Sequence, residues 1–152
     1  MRNPSGVIAV LVLFSATSPA AQVGRGDGPQ AAARMTAEQL DAAMKTINTT
    51  TTALGTKLMS TDLAGAAKEA QTLASTFADV ERFWAQASKP DAVKLAKQAR
   101  LAASETAAAA TAGDATKAAM ARDNMTATCR QCHGSYREGD AQTGFRIKAG
   151  VL

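Results

Sequence analysis

The sequence predicts an all-α fold, an up-and-down antiparallel bundle of four helices. Three observations carry that expectation. Apolar and small residues recur at alternating spacings of three and four along most of the chain after residue 36. Helix-start and helix-stop residues divide that stretch into four segments of about 20–26 residues. Only a few residues separate one segment from the next, and short connections make consecutive helices antiparallel neighbours. Nothing alternates with a period of two, so no strand is expected. The composition agrees, with abundant alanine, 4% aromatic residues and four prolines.

The N-terminus lies outside this fold. "MRNPSGVIAVLVLFSATSPAAQ" has a basic residue, Arg2, then the apolar run "VIAVLVLF", then small residues. Ser18 and Ala20 fit the positions read by a signal peptidase, so residues 1–21 are expected to be a cleaved signal peptide. The apolar run is far short of the roughly 20 residues needed to span a bilayer. Export to a bacterial periplasm is the expectation, with no membrane span. Residues 22–35, rich in glycine, read as a flexible leader. Their Arg25-Gly26-Asp27 triplet is short enough to recur by chance.

The first helix begins at a capping box, Thr36 with Gln39 three residues on. Its stripe is Leu40, Met44, Ile47, Thr51, Leu54 and Leu58. Threonine is a mediocre helix former, so the run Thr49–Thr52 makes this helix depend on tertiary support. The second start lies at Ser60–Asp62, and its stripe is Leu63, Ala66, Ala70, Leu73, Phe77, Val80 and Trp84. Ser88 is expected to cap the third helix, with Pro90 in its first turn, where a missing N–H costs nothing. That helix stops at Gly113, a favourable residue just past a helix end. Asp114 caps the fourth, "ATKAAMARDNMTATCRQCHGSYRE", which is expected to run to Gly139. Residues 139–152 then form a tail, leaving 36–138 as the domain. So much alanine and threonine on the stripes makes a thin core. A large apolar cofactor between the helices would complete it.

Both cysteines and the only histidine fall in "CRQCH", residues 129–133. On a helix, Cys129, Cys132 and His133 stand at i, i+3 and i+4, on one face. Zinc in a structural site wants four Cys or His ligands, and the chain has three. A redox dithiol opens a helix after a strand, where the helix dipole lowers a thiol pKa. This motif lies near a helix end instead. A disulfide between i and i+3 of a helix is poorly placed. The spacing favours covalent haem attachment, with two thioethers and the histidine on iron, one haem c per chain. No histidine or methionine follows His133, so a sixth ligand must come from upstream.

A C-terminal "CRQCHGSYR" on the last of four helices resembles the class II cytochromes c, the cytochrome c prime superfamily. The resemblance covers residues 36–138. It implies a four-helix bundle with covalent haem at the last helix and one of two functions. In one branch a first-helix methionine completes a low-spin iron, and the protein carries electrons. In the other the iron is five-coordinate under a bulky apolar residue and binds nitric oxide or carbon monoxide. The string "AMKTINTTTTALG" resembles the first helix of the methionine-ligated branch, which makes Met44 the expected distal ligand. Met44 also lies on the apolar stripe, where methionine fills gaps in any case. Without Met44 on iron, Ile47 becomes the apolar distal residue. Met35 is the next ligand candidate, while Met59 is at the far end of its helix and Met120 and Met125 share the motif's own helix.

Met125 and Tyr136 lie on one ridge with the cysteines and are expected on the haem edge. Arg137 is expected to meet a propionate, to sit beside the imidazole or to be a solvated helix-end charge. Phe83 and Trp84 are expected to close the bundle, and Phe145 to cover haem. Removing residues 1–21 takes away Arg2 and no acid, so the formal charge falls from +4 to about +3. No dense basic stripe with interleaved aromatics appears, and nucleic acid is not an expected partner. Arg130, Arg137, Arg146 and Lys148 lie near the motif. They suit an acidic redox protein through a salt-sensitive contact, or a solvated basic end. The resemblance also implies homodimers through the first two helices in part of the family. An electron carrier is expected rather than an enzyme. The rivals are a gas-binding haem protein and a haem-free helical interaction module.

Overall fold

The computed structural model describes residues 34–152; the expected signal peptide and all but the end of the leader lie outside them. Four helices follow in order: α1 Ala37–Met59, α2 Leu63–Gln86, α3 Pro90–Thr111 and α4 Ala115–Tyr136. The capping box forms as the sequence predicts. Gln39 N–H donates to Thr36 Oγ1 at 3.3 Å, and Thr36 N–H donates to Gln39 Oε1 at 2.8 Å. Asp62 and Asp114 accept from the N–H groups of Gly65 and Lys117, both at 2.9 Å.

The three connections between helices are built alike. Thr61, Ser88 and Gly113 each take a positive φ, 56°, 56° and 80°. Each donates back to a carbonyl three residues earlier, Leu58, Ala85 and Ala110. The next residue in each case reaches five back, Asp62 to Lys57, Lys89 to Trp84 and Asp114 to Ala109, at 2.9–3.0 Å. This paired pattern ends a helix by satisfying its last carbonyls with one left-handed residue. It also corrects the expected cap of α3. Ser88 is consumed as the left-handed residue that ends α2, so Lys89 takes the cap position without a side-chain bond and Pro90 follows at once.

Of the expected stripe of α2, Ala66, Ala70, Leu73, Phe77, Val80 and Trp84 are buried and Leu63 is half-buried; Phe83 is buried beside Trp84. In α1 Leu40, Ile47 and Leu54 are buried, while Met44 and Leu58 are half-buried and packed against the core. Thr50 is buried, and Thr51, the expected stripe residue, is half-buried. The inner surface of α3 is alanine with one threonine, Thr106, whose hydroxyl donates to Ala102 O at 2.8 Å. Side chains this small let helix axes approach closely. The most extensive packing joins α2 to α3, then α3 to α4, then α1 to α2, while α1 and α4 meet only sparsely. Among the described residues no helix is long and apolar enough to cross a membrane.

The tail differs from expectation. α4 ends at Tyr136, and a two-stranded antiparallel hairpin follows, β1 Arg137–Asp140 and β2 Gly144–Ile147. Arg137 pairs with Ile147 and Asp140 with Gly144 in its register. Gly139 is held at φ 86°, where an added Cβ would collide with the Gly144 carbonyl, so the helix cannot run through it. Asp140 Oδ1 accepts from Gln142 N–H, Thr143 N–H and the Thr143 hydroxyl at 2.7–3.0 Å, which closes the turn. Those bonds hold the Asp140 carboxyl below its ordinary pKa. Four-residue strands are too short to show alternation, which is why the sequence reads as a plain tail.

Candidate functional site

Two contacts define one end of the molecule. Met35 N–H donates to Gln86 Oε1 at 2.9 Å, joining the start of α1 to the end of α2. The Trp84 ring lies 5.0 Å from the Tyr136 ring at an angle of 43°, joining α2 to the end of α4. Farther along, the Arg122 guanidinium of α4 faces Gly55 of α1 so closely that a Cβ there would lie 3.3 Å from it. α1 therefore leaves this end as α4 arrives at it. Met44 falls between Met35 and Gly55 on one side. Cys129, Cys132 and His133 fall between Tyr136 and Arg122 on the other. The structure thus brings the expected distal methionine and the motif to the same level along α1 and α4, two helices that pack sparsely against each other.

Cys129, Cys132 and His133 sit in the last two turns of α4, all half-buried. Both cysteines are free thiols. Burial raises the pKa of Cys129, and burial plus the neighbouring Cys129 pushes Cys132 up to about 11. A redox dithiol needs the opposite, a thiolate stabilised near neutral pH. Burial, with Arg137 second, lowers the His133 pKa, so its imidazole is neutral at pH 7 and keeps a lone pair for a metal. Among the described residues no three His, Cys, Asp or Glu side chains converge as a metal cluster. A haem needs no such cluster, because the macrocycle supplies four of the ligands.

Met125 is fully buried on the same ridge. Phe83 and Trp84 are buried beside each other with rings 5.1 Å apart, which closes this end as expected. Tyr136 is half-buried against Trp84. Arg137 is the exposed charge at the end of α4 that one of the three expectations describes. It has left the helix, is exposed, and lies 4.1 Å above the Phe145 ring. Phe145 is thereby engaged by a cation and still 51% exposed. The basic cluster is partly committed internally: Arg146 Nε donates to Glu138 at 2.9 Å, and Lys148 Nζ donates to Gly134 O at 2.7 Å. Arg130 is exposed.

Two donors were not legible as site residues. Among the described residues, the buried side-chain polar atoms without a hydrogen-bond partner are Trp84 Nε1 and Arg122 Nε. The available signal was spacing, since Arg122 precedes Cys129 by seven residues and so shares its face. The chain matches no protein-family model, no curated protein and no solved structure.

Proposed function

We propose that the chain is an exported monohaem c-type cytochrome of the class II kind, an up-and-down four-helix bundle that carries single electrons in the periplasm. Cys129 and Cys132 would hold the haem through thioethers, with His133 and Met44 as axial ligands. The observation that carries this reading is the shared half-buried face of Cys129, Cys132 and His133 on α4, at the same end of the molecule as Met44 on α1, a helix with which α4 packs only sparsely. The residues fit the group. His133 is neutral, the thiols are free, and Trp84 Nε1 and Arg122 Nε are buried donors with acceptors still to gain.

The bound haem supplies a one-electron iron couple. The chain supplies the rest. His133 offers a nitrogen donor and Met44 a soft thioether, a pair that favours the reduced state. Phe83, Trp84 and Met125 exclude water from one side of the site, which limits the reorganisation an electron must drive. Arg130 and the exposed charges of the hairpin would meet an acidic redox partner through weak, salt-screened contacts.

One observation favours the second reading, a five-coordinate iron that binds nitric oxide or carbon monoxide. Ile47, one turn beyond Met44, is buried at 7% exposure, whereas Met44 is half-buried. An apolar side chain over the distal face would leave a site that only small neutral gases reach. A spectrum decides between them. Protein purified from a host that matures c-type cytochromes should carry one covalent haem by mass. Its reduced form should have sharp low-spin bands that carbon monoxide leaves unchanged. A broad high-spin band moved by the gas establishes the second reading. Absence of covalent haem leaves a helical interaction module.

A further inference from the structure

We propose that Arg122 binds a haem propionate, an assignment that rests on the haem reading above. Arg122 precedes Cys129 by seven residues, two helical turns or roughly 10 Å along the same face of α4. Its guanidinium is directed toward α1 and lies against Gly55, the residue whose missing side chain leaves room for it. The three nitrogens are not equally served. Nη1 donates to Asp123 Oδ1 at 3.1 Å, and Asp123 is 69% exposed, so that pair faces solvent. Nε is buried and donates to nothing.

A buried donor on a permanent cation calls for an acceptor, and a carboxylate meets a guanidinium edge with two parallel bonds. A haem anchored at Cys129 and Cys132 brings two carboxylates and no other anion. The second unpartnered donor, Trp84 Nε1, is the weaker candidate. It is neutral, and its ring is enclosed between Phe83 and Tyr136. Arg137 is exposed to solvent where it stacks on Phe145, and Arg146 is paired with Glu138. Arg122 is thus the cation on the motif's face whose inward nitrogen is uncommitted.

The test is the midpoint potential of the full haem-loaded protein, measured for wild type, Arg122→Gln, Arg122→Leu, Arg122→Lys and the exposed control Arg130→Gln. A propionate that loses its cation places uncompensated negative charge beside the iron and favours the oxidised form. Arg122→Gln and Arg122→Leu should each lower the ratio of reduced to oxidised protein at a fixed applied potential by about tenfold. Arg122→Lys should restore most of it, and Arg130→Gln, screened by solvent, should change it far less. Potentials that coincide with wild type in the Gln and Leu variants, or that match the Arg130→Gln shift, overturn the assignment while the haem reading stands. Wild-type protein without covalent haem overturns both, and the mass shows that before any potential is read.

Discussion

Burial and the nearby Arg137 both disfavour the protonated imidazole of His133, which leaves a metal-binding nitrogen available at neutral pH. Burial also keeps the two thiols protonated. These chemical states follow from where the last two turns of α4 lie, and the spacing of Cys129, Cys132 and His133 made that placement legible in the sequence. Met44 was expected as a ligand from the resemblance of its helix to a methionine-ligated one and from its place on the α1 stripe, where it is half-buried. Met44→Ala should convert a low-spin, gas-inert spectrum into a high-spin one that carbon monoxide shifts. Met35→Ala should leave the spectrum alone, because Met35 precedes the first turn of α1. A spectral change with Met35→Ala and none with Met44→Ala would reassign the distal ligand. Arg122 was not legible, because a charged residue followed by aspartate reads as surface until the facing residue is known to be glycine.

At the scale of elements, the three helix-ending turns need one left-handed residue each, and only one of the three is glycine. The sequence announced the turn at Gly113 and hid the one at Ser88, whose side chain imitates a cap for the following helix. Thr61 is the more costly exception, since a β-branched residue is poorly suited to positive φ. Left-handed backbone costs an L-residue about 1–2 kcal/mol, and glycine returns about 0.5–1 of that in the unfolded chain. Thr61→Gly should therefore stabilise the protein by up to about 1 kcal/mol, seen as a higher urea midpoint with an unchanged slope. The same turn carries an electrostatic signature. Lys57 Nζ lies 2.7 Å from Asp62, and that contact with the Gly65 N–H lowers the Asp62 pKa in the folded state. A lowered folded pKa contributes stability above the unfolded value of 3.8 and loses it as pH falls through the folded one. Asp62→Asn should be less stable than wild type at neutral pH, and the difference should shrink in melts taken well below pH 3.8. The hairpin was illegible for a physical reason as well. Its order comes from Gly139, the Asp140 turn and one cation over Phe145, none of which produces a periodic pattern.

Across the whole molecule the packing is graded rather than uniform. Alanines let α3 sit close to both α2 and α4, while α1 is held chiefly by α2 and meets α4 sparsely. Alanine burial contributes little apolar area per residue, so much of the apolar stabilisation falls to a few larger buried side chains, Leu54, Leu73, Phe77, Phe83, Trp84 and Met125 among them. α1 adds a further weakness in its threonines: Thr46, Thr49, Thr52 and Thr56 each turn a hydroxyl back onto the carbonyl four residues earlier. Such back-bonds do little for a helix and nothing to dock it. The element with the poorest intrinsic helicity is thus also one with a largely unshared face. If haem occupies the stretch between α1 and α4, binding must tighten α1 more than any other helix. Amide hydrogen exchange should then rank α1 as the first helix to open in a Cys129→Ala/Cys132→Ala chain that carries no haem. In the haem-loaded protein the protection of α1 should rise toward that of α2, while α3 changes least. Equal protection of α1 and α3 in the haem-free chain would mean that the sparse contact with α4 is no energetic weakness. The cofactor would then have little left to stabilise in α1.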